Sequence, residues 1–106
     1  MLYGAIFGDV VGSIYEWDNI KTKDFDLFDE DSFFTDDSVM SIAVACALAE
    51  NTRSQDNFLL GTRAIKWMKL LGREYPDAGY GSHFEQWLFT KNSEPYNSWG
   101  NGSAMR

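Results

Sequence analysis

The sequence predicts an all-α protein, on three observations. Apolar residues recur at helical spacing in several separate segments. No segment alternates apolar and polar residues as a half-buried strand would. The stretches between are polar and punctuated by glycine, proline and asparagine. With 106 residues the chain has room for one domain and not for two ordinary ones, so 1–106 reads as one unit.

Met1–Glu16 carries Leu2, Ile6, Val10 and Ile14 four residues apart, an apolar ridge on one helix. Gly4, Gly8 and Gly12 form a second ridge at the same spacing. Glycine inside a helix costs about 1 kcal/mol relative to alanine. Three of them predict another backbone, or a ligand, against that face, and the close-packed helix is the plainer expectation. Glu16–Phe34 alternates acids and aromatics with no period, and reads as a surface loop.

Phe34–Glu50 is the clearest helix. Thr35 or Asp36 can cap it, acids occupy its first turn, and VMSIAVACALA predicts burial on most sides. Asn51–Ser54 should end it. Asp56–Leu71 is a further helix with Phe58, Leu59, Thr62, Ile65, Met68 and Leu71 on one face, Arg63, Lys66 and Lys69 elsewhere, and Gly72 placed to stop it. After an Arg73–Gly81 loop, Ser82-His83-Phe84-Glu85 has the form of a capping box and opens a helix to Phe89. Asn92–Gly102 is a loop, and Ser103–Arg106 reads as the first turn of another helix. A chain that stops where a helix begins is expected to be an N-terminal portion of a larger unit, or to be completed by a partner.

Composition narrows the function classes. The chain is 44% hydrophobic and 16% aromatic, which is globular rather than disordered. Nine basic residues against sixteen acidic ones give a net charge of −7. Neither nucleic acid nor an anionic membrane is expected as a partner. The single cysteine, Cys46, excludes an internal disulfide and suits a reducing compartment. No leader or membrane span stands out, and a soluble cytoplasmic protein is expected.

Four patterns have chemical content. In Gly8-Asp9-x-x-Gly12-x-x-x-Glu16 the two acids are about two helical turns apart and share a face. Asp9 either serves chemistry or caps another helix by accepting its amides. Glu16, where the helix opens into a loop, favours a functional role. Thr35-Asp36-Asp37-Ser38 is an all-oxygen set of the kind hard cations such as Mg²⁺ prefer, and equally an ordinary helix start. Ser98-Trp99-Gly100-Asn101-Gly102-Ser103 exposes backbone amides before a helix and suits an anion, with Trp99 as a ring platform; the competing reading is a helix-entry turn with a core tryptophan. The acids Asp24, Asp26, Asp29, Glu30 and Asp31 do not fit a calcium loop, because Phe28 takes a ligand position, and read as a solvated loop. His83 and Cys46 read as structural.

The first three patterns, in this order, resemble the ADP-ribosylglycohydrolase family. The residues that carry the resemblance are Gly4–Glu16, Phe34–Met40 and Gly100–Arg106. It spans this chain but only about the N-terminal third of a family member. It implies an orthogonal bundle of α-helices with a two-Mg²⁺ centre, and hydrolysis of the bond joining ADP-ribose to a protein side chain or small acceptor. Thr35, Asp36 and Asp37 look like half of the metal centre, with Glu16, Asp36 and Asp37 as the catalytic acids. Ser98, Trp99, Gly100, Asn101 and Gly102 look like part of the ADP-ribose cradle. Ser38 stands where the family more often has threonine. The family's second metal segment, of Asp-x-Asp-Thr type, is not in this sequence. These residues alone are therefore expected to be inactive or nearly so. The alternative is a non-catalytic helical relative, as in lens J1-type crystallins. Apolar helix faces, with Val39, Ile42, Val44 and Leu48 as candidates, are expected to drive self-association.

Overall fold

A computed structural model describes residues 2–54, 56–91 and 94–104. The expected further helix therefore falls partly outside the described residues, at Met105 and Arg106. Among those described there is no strand, and four α-helices form the framework: α1 (Leu2–Gly12), α2 (Asp36–Ser54), α3 (Leu60–Glu74) and α4 (Ser82–Phe89). Short 3₁₀ turns cover Ser13–Tyr15, Asn57–Leu59 and Gly102–Ala104. The all-α class follows from the sequence as expected.

α2 is the central element. α3 packs along it, α1 contacts it from elsewhere, and α4 lies on α3. Val39 and Met40 of α2 and Ala78 of the α3–α4 loop are buried together, with Met68, Leu71, Tyr80 and Phe84 packed round them. The principal extents are 46 × 29 × 22 Å, so the helices spread into a slab rather than closing round one large core. Val39 is thus core, not a free face, which corrects the expectation that it drives self-association. Leu48 is exposed, and Ile42 and Val44 are half-buried.

α2 starts at Asp36, not Phe34, because Thr35 caps it: the Asp37 amide donates to Thr35 Oγ1 at 3.2 Å. Phe34 instead packs edge-on against Tyr75. The helix also outruns its expected end, reaching Ser54. Its polar last turn is satisfied internally: Thr52 Oγ1 donates to the Leu48 carbonyl and Ser54 Oγ to that of Asn51. The Asn51 side chain is buried and receives Arg63.

Gly72 does not stop α3. It lies within the helix, where an added Cβ would stand 2.6 Å from Cδ2 of Leu88, so its role is to let α4 approach. The glycine that needs a left-handed backbone is Gly79, at φ 92° in the following loop. The cations of α3 are not all solvated either. Arg63 and Lys69 are buried. Arg63 donates to Asn51 Oδ1 and the Asp56 carbonyl. Lys69 donates to the carbonyls of Trp87 and Thr90 and lies 4.6 Å from the Trp87 ring centroid. Arg73, one turn on, takes the Leu88 and Thr90 carbonyls. Together they satisfy the C-terminal end of α4, where a helix dipole favours cations. Burial, and then repulsion from Arg73, lowers the Lys69 pKa. Phe58, expected on the packed face, is fully exposed because it sits in the 3₁₀ turn ahead of α3.

The capping box at Ser82 does not form. Gly81 precedes the first turn of α4 and makes no side-chain cap, while Glu85 N donates to the Gly81 carbonyl. α1 ends at Gly12, short of the expected Glu16, because Ser13–Tyr15 tighten into a 3₁₀ turn. Its glycine ridge is not close-packed: no side chain or neighbouring backbone lies within 4 Å of a Cβ built at Gly4, Gly8 or Gly12. The 17–34 segment is the irregular loop expected. Phe28 and Phe25 anchor it edge-on against Phe7 and Tyr15, and Phe33 N donates to Ser13 Oγ.

Candidate functional site

The site is built where α1 meets the first turn of α2. Four amides open that turn, and none is left for a ligand. Asp36 N donates to the Ala78 carbonyl at 2.7 Å, and Val39 N to the Thr35 carbonyl. Asp37 N goes to Thr35 Oγ1, and Ser38 N to Asp9 Oδ2. Asp9 also accepts from Thr35 N at 2.8 Å on Oδ2, and from the hydroxyls of Thr35 (Oδ1) and Ser38 (Oδ2), both at 2.5 Å. Of the two readings the sequence left open, Asp9 is therefore the cap of another helix. Its negative charge sits at the positive end of α2, where it is favourable.

This clasp brings residues distant in sequence to one cavity of about 400 Å³. It is lined by Ala5, Gly8, Asp9, Gly12, Ser13, Tyr15, Glu16, Thr35, Asp37 and Ser41. The open faces of Gly8 and Gly12 form part of its wall, so their missing side chains leave space rather than admit a packed helix. Glu16, exposed just beyond the 3₁₀ turn, shares the cavity with Thr35 and Asp37.

Asp36 does not line this cavity. It borders a second cleft of about 540 Å³ with Ile65, Met68, Phe84, Trp87, Tyr96 and the 98–103 segment. The reason is elementary: neighbouring helical residues point about 100° apart, so a pair at the head of a helix cannot both face one way. Ser98, Trp99, Gly100 and Gly102 line the same cleft, whereas Asn101 is not among its lining residues. Trp99 is 96% exposed, which removes the core-tryptophan reading of this loop. The Gly100 amide donates to Ser98 Oγ at 3.1 Å, so it is engaged locally. His83, read from sequence as structural, is exposed and also lines the cleft. The sequence signal missed for this cleft was the aromatic series Phe84, Trp87 and Tyr96, whose rings lie tilted against one another in turn at centroid separations of 5.4 and 6.0 Å.

Among the described residues no group of three or more His, Cys, Asp or Glu side chains is arranged to hold a metal ion. Besides the clasped Asp9, the first cavity is lined by the acids Glu16 and Asp37 and by the hydroxyl-bearing Ser13, Tyr15, Thr35 and Ser41. That donor set is all oxygen and matches a small hard cation that keeps several waters. Nor is any described helix long and apolar enough to cross a membrane.

No match was found among the curated proteins or the solved structures. A sequence model of one protein family, described as ADP-ribosylglycohydrolase, does match, over residues 1–106. The match takes in the clasped Asp9 of α1, the first turn of α2 and the glycine-rich loop alike. By its helical architecture and by this end-to-end match, the chain belongs to the ADP-ribosylglycohydrolase family.

Proposed function

We propose that the chain contributes to a Mg²⁺-dependent hydrolase that cleaves the glycosidic bond between ADP-ribose and a protein side chain or small acceptor. The observation that carries this reading is the cavity that Glu16 shares with Thr35 and Asp37, 19 and 21 residues further along the sequence. Thr35 and Asp37 would hold the ion. A bound Mg²⁺ supplies orientation of ribose hydroxyls and a more acidic water. Glu16 is free of helical packing at the cavity edge, and takes a proton from water or steadies positive charge growing on the ribose. Asp36 faces the second cleft, as do Ser98, Trp99, Gly100 and Gly102, and meets substrate there rather than behind the same wall as Asp37. Trp99 offers an uncovered ring to a planar base. The amides of 100–102, Asn101 included, are the place for pyrophosphate once Ser98 yields its bond. The lone cysteine supports a cytoplasmic setting, and the exposed apolar surface supports self-association.

A non-catalytic relative of the same fold is the second reading. It is favoured by the lack of a three-residue metal cluster among the described residues. Thermal melting of the chain with Mg²⁺, with ADP-ribose and with both separates the two. The hydrolase reading expects both together to raise Tm most; at 100 times the dissociation constant the gain is about 2.7 kcal/mol. A gain from ADP-ribose that ignores Mg²⁺ selects the non-catalytic relative. No shift under any condition overturns the hydrolase reading and selects a non-catalytic structural relative.

A further inference from the structure

We propose that Asp9 is a positioning residue of the cation cavity, acting through the hydroxyl of Thr35; this rests on the cation reading given above. Asp9 lines the cavity, but its carboxylate is already occupied. Two amides and two hydroxyls, from Thr35 and Ser38, donate to it. Three of these donors crowd Oδ2, and the Thr35 hydroxyl holds Oδ1, so both oxygens are committed to the first turn of α2. Asp9 therefore serves as an orienter of that turn.

What it orients is Thr35 Oγ1. The hydroxyl proton points to Asp9 Oδ1 over a 2.5 Å contact. One lone pair accepts the Asp37 amide at 3.2 Å. With the proton and that lone pair fixed, the second lone pair is the only part of the oxygen left to meet a cation. Without Asp9 the hydroxyl can rotate and present its hydrogen instead. The same carboxylate ties α1, which leads directly to Glu16, to the segment bearing Thr35 and Asp37. A single side chain thus fixes both the direction of one donor and the spacing between the others. Orienting partners of this kind hold metal ligands elsewhere in proteins, and their loss weakens metal binding by roughly 10–100-fold.

The test is a Mn²⁺ titration of the ¹⁵N-labelled 106-residue chain, reading the paramagnetic broadening of the Glu16, Thr35 and Asp37 amides. The wild type is expected to broaden at these residues first. Asp9→Asn should raise the half-broadening concentration about tenfold or more. Thr35→Val should do the same, and the double variant should lose less than the two losses combined, because both changes remove the oriented Thr35 donor. Asp9→Asn with the wild-type response overturns the proposal, and so does a double variant whose losses add. A wild type with no localised broadening overturns the cation reading itself, a distinct outcome. A second measurement needs no variant, should Asp9→Asn fail to fold. The Thr35 hydroxyl proton should exchange slowly enough to give its own NMR signal. Exchange as fast as that of an exposed hydroxyl overturns the proposal.

Discussion

The first turn of α2 separates two cavities that are built by opposite means. On the α1 side, oxygen atoms and bare glycine backbone enclose a polar space, and hydrogen bonds to one carboxylate hold the walls together. On the α3–α4 side the walls are aromatic and apolar, and they are held by packing. Gly72 lets Leu88 into contact, and two cations on α3 fasten the end of α4. Packing is unforgiving of volume but indifferent to charge; a hydrogen-bonded clasp is the reverse. The difference shows why two adjacent aspartates serve two spaces.

The largest expected effect breaks the packed side. Gly72→Val puts carbon where the Leu88 side chain already stands, and Leu88 is fully buried. A loss of about 1–3 kcal/mol is expected in urea unfolding. An unchanged midpoint would mean α4 is free to move away. Next comes the division of the aspartates. Asp37→Asn should raise the Mn²⁺ half-broadening concentration at Glu16 about tenfold, as expected when a charged cation partner is lost. Asp36→Asn should leave that response within about twofold and instead weaken the ADP-ribose-induced rise in Tm. Equal losses of Mn²⁺ response in both variants would erase the distinction between the cavities.

The smallest effect lies remote from both cavities. The Trp67 indole N–H, and then the Lys66 ammonium, hold the Glu50 carboxyl below its ordinary value. A depressed carboxyl pKa stabilises the fold above the unfolded value, and that gain disappears as pH falls through the folded one. Stability should therefore decline below about pH 4.5 in part through Glu50, and Glu50→Gln should flatten that part of the profile. Wild type and variant with the same acid limb would remove Glu50 from the account.

Much of this was legible in the residues. Helical periodicity placed the helices, since burial of a stripe leaves a period in the sequence. α4 was located to the residue, although through a capping box that does not form. The clasp was half legible: an acid inside an apolar helix demands donors, but which donors depends on how α1 lies against α2. The split of Asp36 and Asp37 was contained in the 100° step of a helix, and was obscured by treating Thr35–Ser38 as one set. Gly72 misled because a glycine that ends a helix and one that admits a neighbour look alike in sequence. Arg63 and Lys69 misled because a long stem can be buried while its charged end reaches carbonyl oxygens. The 98–102 loop was read by its glycines, while the aromatic wall facing it came from Phe84, Trp87 and Tyr96, to which the sequence reading gave no site role.

The bond from the Asp36 amide to the Ala78 carbonyl gives the loop after α3 an influence on both sides of the wall. That loop bends through Gly79, the described glycine with a left-handed backbone, and leads on to the residues that open α4. Ala78 thereby holds the first amide of α2, one residue ahead of Asp37. The short segment from Tyr75 to Gly81 is in effect a mooring: through the Ala78 carbonyl it holds the start of the helix that bears both acids.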